Sequence, residues 1–203
     1  MKLILIEQDK VVFQTEQKCD KYNFPTLFNE YRMAHIQNPT IENKTNAAYR
    51  FYISSDTASL ETLYKLFGKQ NYIEIDCLKE ADLSALDGKS FHDIYQKAKK
   101  KWKRNIPLND KQEVRLFLNE LEKNDEDSVL ITTETKIHLL ISLLKEMGYL
   151  IEKPRLFGSK PLDRIRATKK HMHCGNCQHN CLLTKPKCDI GRDKARMRGI
   201  KFE

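Results

Sequence analysis

No stretch of this chain stays apolar for anything near the roughly 20 residues that a membrane-spanning helix needs. The start, "MKLILIEQDKVVF", is too short and too soon charged for a signal peptide, which predicts a cytoplasmic or nucleoid-associated protein in a reducing compartment. Several chemical signatures are also missing. There is no G-x-x-x-x-G-K or G-x-G-x-x-G loop to cradle phosphates, and no G-x-S-x-G or H-E-x-x-H. No internal repeat and no low-complexity block occurs, so a solenoid or a disordered polymer is not expected. Aromatic residues all but vanish near the end. After Tyr149 only Phe157 and Phe202 remain, too few to stack a series of bases.

What is present is an uneven charge. The 203 residues are 40% hydrophobic and 32% charged, with a formal net charge of +8. From Lys153 onward fourteen Lys and Arg stand against four Asp and Glu, a balance of +10. The residues before it hold 22 basic and 24 acidic groups. Such asymmetry predicts an acidic partner, DNA or RNA before an anionic membrane, with a solubilising tail as the plainer alternative.

Hydrophobic periodicity predicts the elements. "KLILIEQDKVVFQT" reads as two short strands around the polar "EQDK", an opening hairpin. "NFPTLFNEYRMAHIQN" reads as a helix with Pro25 early, and "AYRFYISS" as a strand. "SDTASLETLYKLFG" follows as a helix capped by Ser55 or Asp56 and ended by Gly68. "NYIEIDCL" is a third strand. Two helices come next. The first has Ser90 and Asp93 at capping-box spacing and an apolar stripe of Phe91, Ile94, Tyr95, Ala98 and Trp102. The second starts at Asn109 or Asp110 and carries Val114, Phe117, Leu118 and Leu121 on one face. "DSVLITTETKIHLLISLLKEMGYLIEKP" reads as strand, helix, strand, a unit that favours a parallel pair with a right-handed crossover. "FGSKPLDRIRATKK" has little periodicity and reads as a linker or short surface helix. The expected fold is therefore α/β: a layered core with a parallel or mixed sheet over residues 1–156, then a basic linker and Cys-rich metal knuckle over 157–203.

The knuckle rests on Cys174, Cys177, Cys181 and Cys188, spaced C-x2-C-x3-C-x6-C in a segment with almost nothing apolar. A metal supplies the folding energy such a segment lacks. Gly175 permits a tight turn between the first two sulfurs, and His171, His173 and His179 stand by as alternative ligands. Zinc is the expected metal, with an iron–sulfur cluster as the alternative. Cys19 and Cys77 read as buried small apolar residues. Arg164, Arg166, Lys169 and Lys170 precede the cluster, Lys185 and Lys187 lie inside it, and Arg192, Lys194, Arg196 and Arg198 follow. These ten cations are the candidate phosphate contacts. The run "KAKKKWKR" offers a second basic track, although Trp102 belongs to the apolar stripe.

For catalysis the candidates are carboxylates at strand ends, where magnesium would serve a nuclease: Asp56, Glu74, Asp76 and Glu134. Asp56 and Glu134 read equally as helix caps. His35, His92 and His138 are scattered and read as packing residues. The sequence thus predicts a nucleic-acid-binding protein with a metal-stabilised basic C-terminal module. Its α/β domain would position the module or meet a protein partner. The alternatives are a metal-dependent nuclease, or other enzyme acting on nucleic acid, and a protein–protein adaptor with a structural knuckle.

Overall fold

The computed structural model describes residues 1–15, 18–37, 49–83, 90–152, 164–169 and 188–197. Along the chain run β1 (Lys2–Glu7), α1 (Phe24–Met33), β2 (Arg50–Ile53), α2 (Thr57–Phe67) and β3 (Tyr72–Glu74). After a short 3-10 helix at Asp76–Leu78 come α3 (Phe91–Arg104), α4 (Leu108–Asn124), β4 (Ser128–Thr132), α5 (Glu134–Glu146), β5 (Tyr149–Glu152), β6 (Arg164–Lys169) and α6 (Asp189–Met197). The six strands among the described residues form one mixed sheet in the order β3-β2-β4-β1-β6-β5. β1, β4, β2 and β3 are parallel, and β6 runs antiparallel to β1. The α/β class and the mixed sheet agree with the expectation. Among the described residues no helix is long and apolar enough to cross a membrane.

The period of two along the strands decides the layers. Leu3 and Leu5 of β1, Tyr52 of β2 and Leu130 of β4 join one buried cluster with the apolar faces of α1, α3, α4 and α5. Ile4, Ile6, Phe51, Ile53, Val129 and Ile131 alternate with them and pack against Leu63, Leu66 and Phe67 of α2. Both faces are covered, which is why β1 and β4 read as unbroken apolar runs. The register pairs Leu5 with Leu130 and Ile6 with Ile131, so parallel neighbours reinforce the same layer. Helix ends follow the local chemistry. The Ser90 hydroxyl accepts the Asp93 N–H at 3.2 Å and starts α3. Gly68 (φ 71°) and Gly148 (φ 85°) adopt the left-handed backbone that ends α2 and turns the chain into β5.

Three expectations are corrected. "EQDK" is no hairpin turn: β1 ends at Glu7, and Val11 instead bridges Ile36. β4 and β5 are not neighbours, because β1 and β6 lie between them. The segment read as linker or surface helix contains β6, whose Ala167 is fully buried opposite Leu3. Packing divides the chain into two compact units, Met1–Thr168 and Lys169–Glu203.

Candidate active site

Because β1, β4 and β2 are parallel neighbours, their carboxyl ends open on one edge, where α/β proteins form crevices. The loops leaving those ends carry polar residues: Glu7, Gln8 and Asp9 after β1, Ser54 to Asp56 after β2, and Thr133 to Thr135 after β4. The loops after β1 and β4 border a cavity of about 630 Å³ whose wall includes Glu7, Asp9, Lys10, Tyr31, Glu80, Tyr95, Lys99 and Glu134.

Most of the acidic groups here are fully engaged. Glu80 is 4% exposed, and its carboxylate accepts from the Ala81 N–H at 3.0 Å, the Tyr95 hydroxyl at 2.7 Å, the Thr133 hydroxyl at 3.2 Å and the Thr135 hydroxyl. Asp56 accepts from Arg32 Nε at 2.6 Å and from the Ser54 hydroxyl and the Glu80 N–H at 3.0 Å each. It stands at the N-cap position of α2 without capping it. From Ser54 the network continues through Ser59, whose hydroxyl donates to Gln8 Oε1 at 2.7 Å. Asp9 pairs with Lys65 at 2.6 Å. Glu134 bridges two lysines of α3, Lys99 and Lys103. Burial alone would raise the Glu134 carboxyl, but hydrogen bonds and charge from Lys103 and Lys99 outweigh it and hold it down at about 2.

Glu7 differs. It ends β1, is reached by solvent through the cavity, and its carboxylate makes no hydrogen bond among the described residues. Its concave surroundings still remove much of the water around it. That desolvation pushes its pKa up from 4.5, and the Glu134 charge adds to the rise while Lys99 and Lys103 oppose it. The group therefore keeps its proton to higher pH than an ordinary glutamate. The Tyr95 phenol is likewise pushed far up, by burial first and then by Glu80, so it stays a hydrogen-bond donor.

Of the four carboxylates expected from sequence, the structure brings only Glu134 to the cavity wall. Asp56 lies behind it in the buried network, while Glu74 and Asp76 are exposed near β3. Of the histidines, His92 lines the cavity, and His35 pairs with Glu61 at 2.5 Å. Sequence reading missed Glu7, Asp9 and Glu80, and took Lys99 only as part of the basic run on α3. Two signals were available: an acidic residue directly after the apolar run "LILI", and a lysine eight residues after Phe91 on the apolar stripe of α3. Trp102 is in the core, as its spacing indicated, and donates to Asp110 at 3.0 Å.

Among the described residues, none of the C-terminal basic or cysteine candidates lines the cavity. Arg166 is exposed on β6, and Arg164 and Lys169 belong to the same strand. Arg192, Lys194 and Arg196 are on α6, where Arg192 meets Asp189 at 3.5 Å and Arg196 meets Asp193 at 3.4 Å. Lys170, Lys185, Lys187, Arg198, Cys174, Cys177 and Cys181 lie outside the described residues. Cys188 precedes α6 and accepts the Gly191 N–H on its sulfur at 3.4 Å. Among the described residues no group of three His, Cys, Asp or Glu side chains is arranged to hold a metal, and the expected zinc or iron–sulfur centre finds no support there. Burial raises the thiols of Cys19 and Cys77, the latter to about 11, as fits apolar packing rather than thiolate chemistry.

No protein family and no curated protein matches the sequence. Solved structures do. In fold the chain is similar to phosphoserine phosphatase from Entamoeba histolytica. A mutant of that enzyme in complex with phosphoserine matches with a TM-score of 0.42 at 18% identity, over 71% of this chain and 80% of that one. The same enzyme with 3-phosphoglyceric acid matches at 0.41 and 17%, over the same shares. The nucleic-acid-binding reading is corrected here. Among the described residues the polar side chains at the carboxyl ends of the strands converge on a cavity in the α/β core, and none of the basic C-terminal candidates lines it.

Proposed function

We propose that this chain is an enzyme acting on a small phosphate ester held in the cavity at the strand ends, with Glu7 as its acid–base group. One observation carries the reading: Glu7 is the carboxyl group of the cavity wall that faces open space with a raised pKa, while Asp9, Glu80 and Glu134 are engaged by their neighbours. A volume of about 630 Å³ lies within the range of small-molecule sites. The N-termini of α3 (Ser90 to His92) and α5 (Thr133, Glu134) border the cavity, and Lys10 and Lys99 add positive charge. Helix N-termini and ammonium groups favour an anionic ligand.

In hydrolysis, water attacks phosphorus and the bond to the ester oxygen breaks. Protonated Glu7 delivers its proton to the departing oxygen, and the attacking water returns one to Glu7. The Lys99–Glu134–Lys103 cluster keeps positive charge beside the anion without leaving a lysine buried and unpaired.

The test is phosphate release from a panel of small monoesters. Glu7→Gln should lower kcat roughly 10²–10⁴-fold with the fold retained by circular dichroism. Undiminished release by that variant, or no release from any ester by the native chain, would overturn the assignment.

A further inference from the structure

The cavity has two unlike halves. One is the charged rim of Glu7, Asp9, Lys99 and Glu134; the other is an aromatic wall of Phe13, Tyr31, Phe91 and Tyr95. The wall is assembled from three places in the chain: the loop after β1, α1 and α3. Its rings fix one another. Phe13 meets Phe91 at 4.8 Å and Tyr31 edge-on at 5.7 Å, while Tyr31 meets Tyr95 at 4.9 Å. Phe91 and Tyr95 are 7% and 6% exposed and anchor the wall in the core; Phe13 and Tyr31 are half-buried and present the open surface. Lys99 Nζ lies 5.1 Å from the Tyr95 ring centre, so the charged rim begins where the aromatic wall stops. A ligand matching both halves is amphipathic: planar and aromatic at one end, anionic at the other.

We infer that the substrate is a phosphate ester bearing a planar aromatic group, the ring against Phe13 and Tyr31 and the phosphate toward Lys99 and the N-terminus of α3. The phosphate end rests on the reading proposed above; the ring end rests on the wall. A preformed aromatic face loses little freedom on binding and gains ring–ring attraction beyond simple burial.

Two pairs of ligands test this by titration followed by NMR, each pair differing in the ring: phenyl phosphate against ethyl phosphate, and uridine monophosphate against ribose 5-phosphate. The ring-bearing member should bind roughly five- to tenfold tighter in at least one pair. The pair with the larger gap tells a simple aryl ester from a nucleotide. Phe13→Leu, which keeps apolar bulk, should narrow that gap and leave the ringless ligands unchanged. Equal affinities in both pairs, a gap that Phe13→Leu does not touch, or no binding at all would overturn the inference. Ring preference without phosphate release from any ester would keep the aromatic wall as the ring-binding face and remove the phosphatase reading; release without ring preference would do the reverse.

Discussion

Glu7 and Glu134 face the same cavity, yet the fold shifts their proton affinities in opposite directions. For Glu7 the folded pKa is raised above 4.5. Its contribution to stability is full below that value and is lost as pH rises through the raised one. For Glu134 the folded pKa falls to about 2, so its contribution is present above 4.5 and is lost as pH falls toward about 2. Thermal unfolding followed against pH should therefore separate two isosteric variants. Glu7→Gln should melt at or above the native temperature near neutrality, because it removes a desolvated charge. Glu134→Gln should melt below it at neutral pH and converge with the native chain in acid. Glu134 is 46% exposed, and screening limits its effect to about 1 kcal/mol. A Glu7→Gln chain that melts lower than native at neutral pH would show that Glu7 serves the fold rather than the chemistry.

At the scale of elements, two N-cap positions that look alike do different work. Ser90 caps α3 through its own hydroxyl, and Ser90→Ala should cost about 1 kcal/mol in urea unfolding. Asp56 precedes α2 but ties Arg32 of α1 to the Glu80 backbone, with its side chain 1% exposed. Asp56→Asn leaves Arg32 short of its counter-charge and should cost roughly 3 kcal/mol. Equal losses would mean that Asp56 is an ordinary cap. The stripe of α3 was legible from Phe91 to Trp102 because apolar residues recur at helical spacing. Lys99 on that stripe was not, because its partner Glu134 is 35 residues away on α5.

At the scale of the molecule, β6 covers the free edge of β1, and β5 lies beyond it. A chain truncated after Lys169 should melt in one cooperative transition. Ending it at Asp163 strips β1 of its antiparallel neighbour and removes Ala167 from the core. That chain should melt markedly lower, or aggregate through the exposed edge. Matching melting curves for the two would show that β6 is dispensable to the sheet.

The α/β class, α1 to α5 and β1 to β4 were written in periodicity, because a strand or helix declares its buried face through residues two, three or four positions apart. Sheet order was not. Nothing local says that β4 lies between β1 and β2, or that a short basic segment far down the chain returns as β6. The candidate cavity depends on that order. Glu7, Glu80, Lys99 and Glu134 are scattered over 128 residues, and only parallel packing of β1 beside β4, with α3 above, brings them together. The charge that sequence made conspicuous was contiguous. The charge that the fold gathered was dispersed, and its altered proton affinities arise from desolvation and partners that exist only once the chain is packed.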